Sequence, residues 1–286
     1  MRYYRHFGLR RDPFAPAPDD PAMCYPALGH ADCAARLTLA LTEGHGLALV
    51  FGEAGYGKTA IIAALLHTLG CDGGECASPR YALARIAHPR AYRADVPFLR
   101  ALLAHYGLPS EGRTGGECLH RLRQFFAALP PTGRRALLVI DDGHDLTGTQ
   151  LELLRLMLTC DPPAAPAIDI AVFARRALAH RIGHKPGLAR CVTTEHWLNP
   201  LNRRDTAGLI AHRLTVAGLP AGASLFTESA IAAIHAASGG VPGAIIAGCA
   251  RCLTEAVFRD HAVVDAPLVE AVMAAMAAAR GVREVA

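Results

Sequence analysis

The stretch that decides the fold is Gly52-Glu53-Ala54-Gly55-Tyr56-Gly57-Lys58-Thr59. It follows the short apolar run Leu47–Phe51 and precedes a helical pattern that extends from Ala60 to Leu69. Glycines let a backbone curl until its N–H groups point inward at phosphate oxygens, aided by the N-terminus of the next helix. Lys58 brings a positive charge to the β- and γ-phosphates, and the Thr59 hydroxyl is a ligand for Mg²⁺. We therefore assign ATP contact to this stretch together with Ala60.

A second motif, which is acidic, lies about eighty residues further on. The apolar run Ala136–Ile140 ends in Asp141 and Asp142. In open α/β sheets the ligand lies at the carboxyl ends of the strands, so these carboxylates are expected to face the same phosphates. Asp141 is predicted to hold the Mg²⁺ shell.

The rest of the chain alternates strands with helices and then becomes helical. Further strands are predicted at 81–86 and 168–173, and helices at 31–42, 95–106, 115–129 and 150–159. This order indicates an α/β fold with a mostly parallel sheet. Helical patterns at 203–217, 227–238, 241–258 and 265–279 follow without a strand between them. We predict an extended segment over 1–29 that packs on the ATPase core, a nucleotide-binding domain over 30–201 and a helical lid over 202–286.

The composition argues against a strongly basic nucleic-acid-binding protein and against a membrane-spanning one. Of the 286 residues 52 % are hydrophobic and 19 % charged, and the net charge is only +4, which is typical of a folded protein and not of a strongly basic nucleic-acid binder. No apolar run reaches about 18 residues and no signal peptide is evident, so a cytoplasmic protein is expected. The odd number of cysteines indicates reduced thiols. For the pairs Cys249/Cys252 and Cys71/Cys76, packing and a plain loop are favoured over a metal site.

Several sequence blocks together resemble the AAA+ ATPases of the ExeA/GspA type. The resemblance covers nearly the whole chain, and beyond the two motifs above it is carried by Tyr4-Arg-His-Phe7-Gly8-Leu9 with Pro13-Phe14, Tyr25, His30, Leu198-Asn-Pro200-Leu201, His212-Arg213-Leu214, Leu225-Phe226-Thr227, Ser238-Gly239-Gly240-Val241-Pro242, Cys249 and Arg251. It implies a P-loop NTPase (AAA+) with a RecA-like αβα domain, an all-helical lid, ATP between them and a homo-oligomer. It also implies that the segment 1–29 lies near the adenine.

The chain departs from this family at positions that serve hydrolysis. The family usually has Asp-Glu where this chain has Asp141-Asp142, and that Glu is the general base. We therefore assign catalysis to Asp142 and Lys58, with slow or partner-stimulated hydrolysis, because a carboxylate misplaced by about 1 Å costs on the order of a hundredfold in rate. The family's lid arginine corresponds to Gly243. Its polar sensor corresponds to the residues around Arg175, and its other arginine corresponds to Cys191, where the neighbouring Arg190 is a candidate to act on the ATP of an adjacent subunit.

Three functions stay open from the sequence. A transposition regulator of the TnsC, MuB or IstB kind would use ATP to form a ring or filament on duplex DNA with a transposase or targeting protein. A basic stretch, expected to be a loop, offers DNA contacts at Arg175, Arg176, Arg181 and Lys185. An ExeA/GspA-like ATPase for secretion or pilus assembly is the first alternative, and up to Ala286 we find no membrane or peptidoglycan-binding part for it. A hydrolysis-deficient ATP-binding scaffold is the second.

Overall fold

The structure, a computed structural model, describes residues 3–16, 20–43, 46–71, 80–111, 114–159, 168–220 and 222–284. The chain divides into two compact units. We call one the α/β unit, formed by 32–53 and 61–198, and the other the helical unit, formed by 1–31, 54–60 and 199–286.

The α/β unit contains one parallel sheet. Its five strands are β1 (Leu47–Phe51), β2 (Tyr81–Ile86), β3 (Arg135–Ile140), β4 (Ile168–Ala174) and β5 (Val192–Trp197). They lie in the order β2-β3-β4-β1-β5, and every pairing is parallel. β1, β3 and β4 are buried almost throughout, as expected for strands covered on both faces. The parallel sheet predicted from the apolar runs is confirmed.

The described residues form helices in both units. In chain order they are α1 (Tyr3–His6), α2 (Leu28–Glu43), α3 (Lys58–Thr68), α4 (Asp95–His105), α5 (Gly115–Ala128), α6 (Gly148–Leu158), α7 (Ala177–Gly183), α8 (Pro186–Ala189), α9 (Arg203–Val216), α10 (Glu228–Ser238), α11 (Pro242–Phe258) and α12 (Ala266–Glu284). Phe98, Leu122 and Leu154, from α4, α5 and α6, pack in one core with the inward-facing residues of the strands. No helix within these ranges combines the length and the apolar character that crossing a membrane requires.

The basic stretch that we expected to be a loop is largely helical. It contains α7 and α8, because Leu178, Ile182 and Leu188 are buried at 0–5 % exposure in the core of the α/β unit. This apolar spacing is hidden in the sequence by the arginines and histidines between its members.

The N-terminal segment contributes to the helical unit. Leu9 and Phe14 lie in the same core as α9–α12. Arg213 of α9 donates from Nη1 to the carbonyls of Pro13 and Ala15 at 3.2 and 3.0 Å, and its burial lowers the pKa of the guanidinium. The sequence led us to expect this segment on the ATPase core, whereas these contacts hold it in the helical unit. The boundaries 1–29, 30–201 and 202–286 stay a prediction.

A buried ion pair holds the amino ends of the strands. Asp169 of β4 is 0 % exposed and receives hydrogen bonds from Arg135 Nε at 2.8 Å, Arg135 Nη2 at 3.3 Å and the Gly46 N–H at 3.3 Å. Removing one partner of a buried pair leaves the other charge without compensation.

Asp169→Ala is therefore expected to lower the free energy of unfolding by about 3 kcal/mol, measured by urea denaturation. The matched control is Asp32→Ala, which removes an exposed i,i+4 ion pair with Arg36 and should cost only about 0.5 kcal/mol. Equal effects of the two substitutions would contradict the structural role of Asp169.

Candidate phosphate-binding site

The phosphate loop leaves the carboxyl end of β1. The Gly52 N–H donates to the carbonyl of Ala174, the last residue of β4, at 3.0 Å, so the loop begins from a fixed position on the sheet. The backbone then turns through the left-handed region at Gly55 and Gly57, with φ of 81° and 86°. Only glycine adopts such angles without strain, and this is the backbone curl that the sequence predicts.

Lys58 opens helix α3, so the loop runs directly into a helix N-terminus. The Lys58 side chain is largely buried, with 7 % of the residue exposed. A buried ammonium needs partners that carry negative charge or accept hydrogen bonds. A helix N-terminus and a lysine next to inward-pointing N–H groups favour a phosphate as the ligand of this loop.

The acidic pair follows β3 as predicted. Asp141 is 8 % exposed, and its Oδ1 accepts the N–H of Asp142 at 2.9 Å. Because β1 and β3 are parallel strands of one sheet, Gly52 and Asp141 follow strand ends at the same edge. Carboxylate and hydroxyl oxygens are the ligands that Mg²⁺ prefers, so the chemistry of Asp141 and Thr59 fits that ion.

Asp142 has an unusual backbone that the sequence did not reveal. Its φ of 50° and ψ of 36° place it in the left-handed region, where Asp is tolerated better than most residues. Its side chain is 40 % exposed, and its Oδ2 lies 3.5 Å from Nδ1 of His88, which follows β2. His144 Nδ1 lies 4.0 Å from Oδ1. The assigned base is thus bordered by two imidazoles.

Gly243, where the family that the chain resembles has an arginine, lies against the phosphate loop. The Gly243 N–H, in the first turn of α11, donates to the Gly55 carbonyl at 2.9 Å. A Cβ on Gly243 would stand 3.0 Å from the Gly55 Cα, and a Cβ on Gly55 would stand 3.2 Å from Val241 Cγ1. Both glycines belong to the helical unit. A side chain at 243 would therefore need the phosphate-loop backbone to shift by a few tenths of an ångström, a close contact that no sequence pattern indicates.

The four side chains predicted to contact DNA have different environments in the structure. Arg181 donates to the carbonyls of His144 and Leu146, the first at 3.0 Å, so it serves the fold. The guanidinium carbon of exposed Arg176 lies 5.1 Å from the centroid of the Trp197 ring, a cation–π contact. Arg175 is exposed and Lys185 is half-buried. Arg190, the candidate arginine for an adjacent subunit, is exposed after α8.

The cysteines of the described residues give no metal site. Cys249 and Cys252 are fully buried, and burial raises the pKa of Cys252 to about 12 and that of Cys249 well above its usual value. Both are therefore neutral thiols, packed among the apolar side chains of the helical unit. Within the described ranges no three His, Cys, Asp or Glu side chains are grouped to hold a metal ion. Cys71 is buried, and Cys76 lies outside the described residues.

Comparison with known proteins agrees with the expected resemblance. Residues 41–181 match the family described as AAA domain. The chain is 29 % identical over 267 residues to the general secretion pathway protein A of Aeromonas hydrophila, which covers 92 % of this chain and 46 % of that protein. The chain thus spans less than half the length of this relative.

Solved structures show the same fold at low identity. The ORC2 protein of Aeropyrum pernix superposes with a TM-score of 0.65 at 18 % identity, covering 93 % of this chain and 72 % of ORC2. Cdc6p of Pyrobaculum aerophilum gives 0.68 at 16 %, covering 90 % and 69 %. A RuvB variant of Thermotoga maritima gives 0.57 at 15 %, covering 86 % and 69 %.

The close contact at Gly243 leads to a prediction. Gly243→Arg introduces the residue of the family that the chain resembles, yet its Cβ would push the phosphate loop at Gly55 by a few tenths of an ångström. We expect affinity for ATP to fall about tenfold, in line with the cost of overpacking. Titration with a fluorescent ATP analogue measures this. Gly116→Arg is the control, because Gly116 is also the second residue of its helix and a Cβ there would meet nothing within 4 Å. A gain of affinity or turnover in Gly243→Arg would contradict the steric argument.

Proposed function

We propose that this chain, whose AAA module is of the ExeA/GspA type, binds ATP with Mg²⁺ and acts as a nucleotide-dependent switch that hydrolyses ATP slowly. The observation that carries the proposal is the phosphate loop, with glycines at both left-handed positions and a buried lysine at the start of α3. The motif assigns 52–60 to the nucleotide.

The residues expected to hold Mg²⁺ are Thr59 and Asp141. Their oxygens suit a hard cation, and the buried position of Asp141 at the carboxyl end of β3 is where Mg²⁺-binding carboxylates stand in such folds. When bound, the ion neutralises the charge that develops on the phosphates. Asp141 also fixes the turn after β3 by accepting the Asp142 N–H.

Slow hydrolysis follows from two features of this chain. Asp142, in the place of the family's Glu, carries its carboxylate one methylene closer to the backbone, and a base must reach the attacking water within hydrogen-bond distance. Gly243 supplies no side chain where the family has an arginine to offset phosphate charge. Binding is retained while the groups that stabilise the transition state are reduced, and this combination favours a switch over a motor.

A longer side chain at position 142 tests whether the protein hydrolyses ATP and whether the short Asp142 side chain makes hydrolysis slow. Asp142→Glu is expected to raise the single-turnover rate about tenfold or more, because the carboxylate reaches further. The same change should lower stability by about 1 kcal/mol, since Glu is strained at a positive φ. Phosphate release measures the rate.

Two variants serve as controls in the same assay. Asp142→Asn should keep ATP binding and lose turnover, whereas Lys58→Ala should lose binding. Binding by Lys58→Ala as tight as that of the wild type would refute the nucleotide site. Turnover that does not depend on residue 142 would refute the assigned base.

A homo-oligomer is proposed for the switch, with Arg190 reaching the ATP of the adjacent subunit. Its exposed position after α8 leaves it accessible to a second copy. Sizing with a non-hydrolysable ATP analogue is the direct measurement. If the wild type has the same size with and without the analogue, ATP does not drive assembly. That result would support the alternative of an ATP-binding scaffold.

The partner is proposed to be either duplex DNA with a transposase or a secretion apparatus. The positive charges of exposed Arg175 and half-buried Lys185 favour DNA as a ligand of this surface. The 29 % identity to a protein named for general secretion favours the other candidate. A transposition regulator of the TnsC kind is therefore one of two proposals for the same switch.

DNA binding at low salt discriminates between them. We expect ATP-dependent binding of duplex DNA at about 50 mM salt, and Arg175→Ala with Lys185→Ala should reduce the slope of log affinity against log salt by about 0.9 for each phosphate that is no longer neutralised. Fluorescence anisotropy measures both quantities. Arg36→Ala is the control, because Arg36 is an exposed arginine paired with Asp32. Absence of binding at this salt concentration would exclude the DNA proposal and favour the secretion candidate.

A further inference from the structure

We propose that His30 is a positioning residue for the phosphate loop and that nucleotide affinity depends on it, an inference that rests on the proposed ATP binding. His30 lies in the first turn of α2, and its Nε2 stands 2.8 Å from the Tyr56 carbonyl. A carbonyl only accepts, so Nε2 carries the proton and donates it. Both residues belong to the helical unit.

This hydrogen bond acts on the conformation that matters for phosphate. In such a loop the N–H groups converge on the anion, so the carbonyls must point away from it. Holding the Tyr56 carbonyl outward orients the peptide plane between Tyr56 and Gly57, and with it the Gly57 N–H, because the peptide unit is rigid. The imidazole thereby prepares a donor of the loop before any nucleotide arrives.

The ring also fills the space beside the loop. A Cβ on Gly57 would stand 2.7 Å from His30 Nε2 and 3.2 Å from its Cδ2. Glycine is thus required at 57 both by its φ of 86° and by the ring packed against its Cα. Contact on this side limits the alternative conformations of the glycine-rich backbone, which would otherwise be costly to order on binding.

The helix turn that carries His30 is fixed in the helical unit. Ala27, just before α2, is 2 % exposed and packs in the core of the helical unit, and its carbonyl accepts the Ala31 N–H at 2.8 Å. The first turn of α2 is therefore anchored on both sides of His30. A side chain mounted on an anchored helix turn holds a loop more firmly than one mounted on another loop.

A second group outside the motif holds the preceding carbonyl. The Gly55 carbonyl accepts the Gly243 N–H of α11 at 2.9 Å. Two successive carbonyls of the loop are thus held by His30 and by Gly243. Of these two braces only His30 acts through a side chain, so it can be removed without changing the backbone of the loop or of α11.

The test compares His30→Ala, His30→Gln and His212→Ala for binding of a fluorescent ATP analogue with Mg²⁺. His30→Ala is expected to weaken binding about threefold to tenfold, the contribution of one hydrogen bond. His30→Gln keeps an N–H donor and should stay within about twofold of the wild type. His212 is the matched control, because its Nε2 also stands 2.8 Å from a backbone carbonyl, that of Ala22, within the helical unit.

A second readout follows the loop itself. Amide hydrogen exchange of residues 53–58 without nucleotide should be faster in His30→Ala than in the wild type or in His212→Ala, because an unbraced loop opens more often. Should His30→Ala fail to fold, His30→Leu against His30→Gln makes the same comparison, since both fill the space and only Gln donates.

The outcomes separate the inference from the proposed function. A wild type that binds no nucleotide refutes the proposed function whatever His30 does. If the wild type binds and His30→Ala binds equally well, the inference is overturned and the function stands. An equal loss in His212→Ala also overturns it, because the effect would then arise from general loosening of the helical unit.

Discussion

The site depends on one constraint, that successive backbone N–H groups must converge on a single anion. The chain meets it by turning through positive φ at Gly55 and again at Gly57, and a helix N-terminus follows at once. Such a loop has little side-chain bulk to hold it, so its conformation must be stabilised from outside. Contacts from His30 and Gly243 to its carbonyls perform that task.

The same contacts bear on two positions where this chain differs from the ATPases that it resembles. A side chain at 243 would crowd Gly55, so the absence of an arginine there suits the close approach of α11 to the loop. At position 142 the local geometry likewise suits the residue present. The backbone of Asp142 lies in the left-handed region, where Asp is better tolerated than Glu. Both differences are compatible with a well-formed phosphate loop.

Much of the fold could be predicted because its elements are locally encoded. Leu47–Phe51 and 136–140 are continuous apolar runs, and such runs bounded by glycine or acidic residues become buried parallel strands. Caps shift the helix ends by a residue or two: Thr147 and Gln150 form a capping box, so α6 begins earlier than its apolar pattern suggested. α7 and α8 were missed because basic residues obscure a short apolar spacing, a pattern too brief to distinguish from a loop.

The sequence by itself determined the phosphate loop, the acidic pair after β3, the parallel sheet and the succession of helices after 202. These are properties of contiguous residues, whose spacing expresses local geometry directly. The tertiary structure decided what contacts the loop: His30 is 26 residues from Tyr56, and Gly243 is far from Gly55 along the chain. It also decided that Arg181 serves the fold, by bonding to carbonyls of the turn after β3. Such contacts join distant segments, and a lone histidine, glycine or arginine carries no local pattern that identifies its partner.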